Sequence, residues 1–326
     1  MTTNAEIRKN LLKIHTNFFE REDEPTFLNE IKMDSFSSFM VYKNPLPSNE
    51  TIRNDFKDKL KPEVKKGESK FLQTNLKNKY NFDLNFDDDF FGKYGDETFN
   101  NDLMFVATNV AARPGNHTIS NWKNFHNQGD KMDQNILKMN LELNDPSFKG
   151  SYMTDAIKHV VDSNSSNVDH DFFATIKNSE LSFANNKNED ENDLLRAKQY
   201  ITFDKKDEEA TAKKAAKDDK PNKFVRRFNS VDEALREVKK NRVIFYKSAS
   251  LFVQEWLTIQ PNHIVTFGGV STGLLKRMCE TDVFKQYPEL CAMVDNAIQI
   301  HHYSYRKNLK DFYNDYSEEL SLQLKK

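Results

Sequence analysis

Cysteine is almost missing from this chain: Cys279 and Cys291 are the only two in 326 residues. They form no C-x-x-C pair, and no histidine stands at an interval that would complete a zinc site, so metal- or disulfide-stapled scaffolds are excluded. Such thiol usage fits a reducing cytoplasm. Long apolar runs are missing too. Residues 1–10 carry no apolar signal core and no stretch approaches the ~18 residues of a membrane span, so a soluble cytoplasmic protein with no membrane partner is expected. Charge of one sign is also lacking, with 48 basic against 50 acidic residues and a net charge of −2. That balance neither requires nor forbids nucleic acid, because a basic groove coexists readily with acidic loops elsewhere. Two binding motifs fail on single residues. The Gly268–Gly273 stretch is followed by Leu274 where a phosphate loop requires lysine. The acidic run from Asp83 to Asp96 has Asp88 where a calcium loop needs glycine and Tyr94 where it needs glutamate.

What is present is a polar chain with an economical core, 37% hydrophobic against 30% charged, in which 26 Phe and 11 Tyr supply most of the bulk. Its length suffices for one large or two ordinary domains. Ile7, Leu11, Leu12, Ile14 and Phe18 recur at helical intervals and predict an amphipathic helix. Pro45, Pro47 and Pro62 interrupt the next stretch, and residues 1–100 read as an N-terminal extension outside the central sheet. The basic segment from Lys57 to Lys70 reads as a solvated face. Residues 163–240 differ in kind: Asn185–Asp193 and Asp204–Lys220 hold hardly any large apolar side chain. They are expected to form a charged insertion, partly disordered or a mobile helical flap.

Between these segments a pattern repeats. Leu103–Val106 is a short apolar run leading into Asn109, Ala111, Ala112 and the turn Arg113-Pro114-Gly115. Gly150–Lys158 is a second strand, ending near Asp155; His263–Phe267 is a third, running into Gly268-Gly269 and a helix expected from Thr272. Ala297–Arg306 contains a fourth, followed by His301, His302, Tyr303, Ser304, Tyr305 and Arg306, with a C-terminal helix from Asn308. Helical patterns separate them, at Met132–Leu143 and at Ser248–Leu257 with its stripe Leu251, Phe252, Trp256 and Leu257. Strands alternating with helices predict an α/β/α sandwich on a mostly parallel four-stranded sheet. In such sheets ligands collect beyond the strand C-termini, where the polar side chains converge.

These four strand ends, in this order, resemble the uracil-DNA glycosylase superfamily over roughly residues 100–160 and 240–312. Ala107-Thr108-Asn109-Val110-Ala111 is similar to the motif G-x-N-P-G, and His302-Tyr303-Ser304 to the motif H-P-S. Tyr152–Asp155 occupies the place of the strand whose terminal asparagine reads the flipped base. The resemblance implies a glycosylase-like domain over residues 101–312, closed by a C-terminal helix over 313–326. It implies that Asn109 positions the attacking water, His302 stabilises the departing base, Asp155 reads it and Phe125 stacks on it. Arg113, Ser304, Tyr305 and Arg306 would contact DNA. The chain departs from the motifs at Ala107, Val110, Ala111 and Tyr303. Asp155 stands where the family has asparagine, and a carboxylate suits an amino group such as cytosine N4 better than a uracil carbonyl. The expected activity is therefore hydrolytic excision of uracil or a modified cytosine, including the bulky modified bases of phage DNA, by a monomer needing no metal or cofactor. No lysine falls in the motifs to act as an amine nucleophile, which favours hydrolysis alone over strand cleavage. A catalytically inactive member that only binds DNA or protein is the other expectation.

Overall fold

The computed structural model describes residues 4–17, 30–42, 44–61, 70–85, 99–109, 122–126, 133–158, 160, 162, 165–185, 188–219 and 221–325. It is an α/β protein. In chain order come α1 (Asn4–Leu11), a small hairpin of β1 (His15–Asn17) and β2 (Glu30–Lys32), β3 (Ser37–Phe39), α2 (Asn49–Asp55) and α3 (Lys70–Tyr80). Next are β4 (Asn100–Ala107), α4 (Gln134–Glu142), β5 (Ser151–Asp155), α5 (Ser165–Phe172), and the long helices α6 (Glu189–Lys217) and α7 (Val231–Ile259). The last stretch holds β6 (His263–Phe267), α8 (Gly268–Met278), α9 (Asp282–Lys285), α10 (Pro288–Asp295), β7 (Ile298–Ile300), α11 (Leu309–Tyr316) and α12 (Glu319–Gln323).

The main sheet has five strands in the order β3-β5-β4-β6-β7. The four strands foreseen are parallel to one another, and the fifth, β3, pairs antiparallel with β5, Ser37 opposite Thr154 and Phe39 opposite Tyr152. The four-stranded expectation is corrected on this point, and so is the exclusion of residues 1–100 from the sheet. Alternating side chains separate two cores. Met104, Val106, Tyr152 and Ile264 face α7, α8 and the packed parts of α1, α5 and α6. Leu103, Phe105, Met153, Val265 and Phe267 face α2, α3, α4 and α11.

Local chemistry sets the helix starts. Asp133 accepts the N–H groups of Asn135 and Ile136, Ser230 that of Glu233, and Asn308 that of Asp311, each satisfying orphan donors of a first turn. At the far end, α2 is tied to the residues just after α11. Asn49 donates to the Ser317 carbonyl at 2.8 Å across 268 positions, and Arg53 pairs with Glu318 at 2.5 Å.

Four further expectations change. α1 stops at Leu11; Leu12 is 55% exposed, and Phe18 lies outside the described residues. The insertion is helical and packed instead of loose, because α6 lays Ala197 and Tyr200 against α7 and buries the Arg196–Asp193 pair. Residues Val243–Tyr246 continue α7 without a break, so the apolar helix begins at Val231. β7 ends at Ile300, and the chain from His301 to Arg306 is loop rather than strand.

Candidate functional site

The C-termini of the four parallel strands share one edge of the sheet, in the order Asp155, Asn109, Gly268, His302. Pairing between β4 and β5 continues beyond both strands, through Ala156 N–H to Ala107 O at 2.8 Å and Ile157 N–H to Thr108 O at 3.0 Å. That extension carries Asn109 alongside the chain leaving β5. Its Nδ2 donates to the carbonyls of Asp162 at 2.9 Å and Val160 at 3.3 Å. Two carbonyls can be addressed only by the amide nitrogen, so the way round the Asn109 amide sits is settled, with its acceptor oxygen turned the other way.

The two adjacent histidines divide sharply. His301 is drawn away from the edge: Glu319 accepts from its backbone N–H at 3.0 Å and from Nδ1 at 2.9 Å, and its ring stacks on Tyr316 at 3.8 Å. His302 instead lies over Gly268. A Cβ at Gly268 would sit 3.3 Å from His302 Cβ, and the backbone there has φ +81°, so glycine is required both by conformation and by the closeness of the imidazole. Burial alone pushes the His302 pKa down to about 4, which keeps the ring neutral near pH 7. The tautomer follows from Ser304, whose backbone N–H donates to Nδ1 at 3.1 Å, with the hydroxyl 2.8 Å from the same atom. A nitrogen that accepts from an amide carries no proton, so Nε2 carries it and is a neutral donor.

α8 begins directly at Gly268, so its first N–H groups open on the same edge. The helix therefore starts four residues earlier than Thr272. Its third glycine has another purpose: a Cβ at Gly273 would lie 2.5 Å from the Ala174 carbonyl oxygen, so Gly273 permits the segment after α5 to dock on α8. Backbone packing, and not phosphate binding, accounts for it.

Asp155 ends β5 fully buried, its Oδ2 accepting from Asn124 Nδ2 at 2.7 Å. Asn124 belongs to the loop 122–126, in which the bulky residues Trp122 and Phe125 both adopt left-handed backbone, with φ of 63° and 62°. Side chains of that size seldom do so, and the conformation persists only where surroundings over-determine it. β3 and its neighbours supply the restraint: Asp34 O accepts from Trp122 N–H, Ser38 Oγ donates to Trp122 O at 2.6 Å, and His126 Nε2 contacts Ser38 Oγ at 2.6 Å. Phe125 is consequently buried in the core beside Phe105 and Phe267, only 3% exposed, and offers no open face for a base in this conformation.

Beneath β5 lies a group that sequence reasoning missed. Lys158 and Glu255 form a fully buried ion pair at 2.8 Å. Glu255 Oε1 also accepts from Tyr152 OH at 2.7 Å and Thr154 Oγ1 at 2.5 Å, while Lys158 Nζ donates to Thr154 Oγ1 and to the carbonyl of Asp155. The pair anchors the end of the strand that presents Asp155. A lone glutamate on the apolar stripe of α7 was the available signal.

Of the residues expected to touch DNA, Ser304 is engaged with His302, while Tyr305, 50% exposed, and Arg306 are on the surface beside it. Arg113 lies outside the described residues, as does the turn from Val110 to Gly115. No cluster of three or more His, Cys, Asp or Glu suited to a metal ion, and no helix long and apolar enough to cross a membrane, occurs among the described residues.

No family model, curated protein or solved structure matches this chain. The geometry of the sheet edge is the guide to its chemistry.

Proposed function

We propose that the protein is a monofunctional DNA glycosylase that extrudes a base, uracil or a modified cytosine such as those of phage DNA, and hydrolyses its N-glycosidic bond. The observation that carries this reading is His302, neutral and with Nε2–H as its donor, seated at the start of α8 on the edge that also holds Asn109 and Asp155. As the bond between the base and C1′ breaks, positive charge grows on the sugar and negative charge on the base. A fixed neutral donor gains strength as that negative charge develops, and the α8 N-terminus favours an anion as well. The Asn109 carbonyl oxygen suits a water that adds to C1′. The water oxygen becomes the C1′ hydroxyl of the abasic site, and the departing base takes up a proton from solvent.

Lys158 is unsuited to amine attack on C1′, being fully buried and ion-paired. Hydrolysis without strand scission is the consequence. Extruding the nucleotide costs a few kcal/mol, and the exposed Tyr305 and Arg306 are available to hold the emptied stack.

The test is base release from oligonucleotides carrying uracil, mismatched uracil, 5-hydroxymethylcytosine or its glucosylated form, with Asn109→Ala and His302→Ala as controls. Loss of the His302 donor should slow release by roughly 10²- to 10³-fold. Absence of release from every substrate with retained DNA binding would instead identify a non-catalytic binding protein.

A further inference from the structure

We infer that the base-reading position is built for a pyrimidine bearing a 4-amino group, a modified cytosine rather than uracil, with Asp155 as reader and Asn124 as the residue that positions it. The inference rests on the glycosylase reading and narrows its substrate. Asn124 Nδ2 donates to two oxygens, Asp155 Oδ2 at 2.7 Å and the Phe36 carbonyl at 3.0 Å. Only the amide nitrogen can serve both, so Asp155 Oδ2 is an acceptor and carries no proton. The Lys158 ammonium on the Asp155 backbone carbonyl places positive charge close by, which favours the carboxylate further. Charge complementarity then selects the base. Asn124 occupies Oδ2, so the carboxylate meets the base edge through one oxygen. Aimed at uracil N3–H, that oxygen sits between two carbonyl oxygens that repel it. Aimed at a 4-amino group it meets two hydrogens at the end of the edge.

The arrangement is rigid. Asn124 is 3% exposed and lies between two residues with left-handed backbone, in a loop fastened to β3 by Ser38. A reader held in this way does not rotate to present a donor. Unmodified cytosine is the host's own base, so the substrate carries an added group elsewhere on the ring.

The experiment measures single-turnover release from one oligonucleotide sequence containing uracil, cytosine, 5-methylcytosine, 5-hydroxymethylcytosine or glucosylated 5-hydroxymethylcytosine. Expected is release of a 4-amino base roughly 10- to 100-fold faster than uracil. Asp155→Asn, equal in size, supplies both a donor and an acceptor and should reverse the preference towards uracil. Asn124→Ala should shrink the ratio between the two bases, a readout that loss of stability alone does not move. Faster release of uracil by the unaltered protein, or an unchanged preference in Asp155→Asn, would overturn the inference and leave the glycosylase reading standing. No release of any base by the folded protein would overturn both.

Discussion

Breaking the buried Lys158–Glu255 pair should be among the most damaging single changes in this molecule, and breaking both halves together should be milder. Lys158→Met leaves the Glu255 carboxylate 0% exposed with hydroxyl donors from Tyr152 and Thr154 but no countercharge. Glu255→Gln keeps an acceptor for those hydroxyls but sets an amide N–H2 against the Lys158 ammonium. Stranding one buried charge in this way costs about 3–5 kcal/mol. Against a total stability of ~5–15 kcal/mol, either variant would lose much of its margin. In the double variant no charge remains. The thioether introduced by Lys158→Met packs near the Phe252 ring, 6.0 Å from the present ammonium, and the amide oxygen introduced by Glu255→Gln still accepts from Tyr152 and Thr154. A coupling of at least ~2 kcal/mol between the two sites is therefore expected. Urea unfolding followed by tryptophan fluorescence measures it, provided the slope is unchanged among the variants. Additive losses in the double variant, or a single loss below ~1 kcal/mol, would refute the reasoning.

Three further outcomes concern groups with unusual surroundings. Because the folded-state pKa of His302 is pushed to about 4, below its ordinary 6.5, stability from this group is present above pH 6.5 and is lost as pH falls towards 4; a two-dimensional NMR titration should find His302 still neutral at pH 5.5. Base release, if catalysed as proposed, should keep its acid limb near 4 rather than 6.5. Glu142, buried without a hydrogen-bond partner among the described residues and facing Glu319, has its pKa raised well above the usual carboxylate range. Its proton stabilises the fold below the unfolded pKa, and that contribution is lost as pH rises, so Glu142→Met should gain about 1–3 kcal/mol at pH 7 and less at pH 5 in denaturant titrations. Gly273→Ala should lose about 1–3 kcal/mol because its Cβ meets backbone at 2.5 Å, whereas Gly269→Ala, with only Gln299 Oε1 at 4.0 Å, should melt at or above the temperature of the unaltered protein in calorimetry.

The parallel strands and their shared edge were legible because each carries a short apolar run that stops at a polar side chain. β3 was not. Its Ser37 and Ser38 read as surface, yet both are fully buried, Ser38 donating to Trp122 O and Ser37 accepting from Tyr152 OH. A three-residue edge strand leaves no periodicity to detect. The charged insertion misled for a related reason: Arg196 and Asp193 satisfy one another inside α6, so their polarity does not mean exposure. Asn109, His302 and Asp155 were legible from position alone. Asn124 and Glu255 were not, since their value lies in partners 31 and 103 positions away, Asp155 and Tyr152.

The tie between α2 and the residues after α11 also governs how the protein is made. Asn49 leaves the ribosome 268 residues before the carbonyl it binds, and at ~5–20 residues per second that is a wait of roughly 15–50 s. Throughout it Ile52, Leu72 and Leu76 lack the apolar surface of Leu309 and Tyr313 that belongs in the same core. The nascent chain is thus an obligate client for a factor that shields apolar helices, and a transcript truncated before codon 309 yields a product that exposes them permanently.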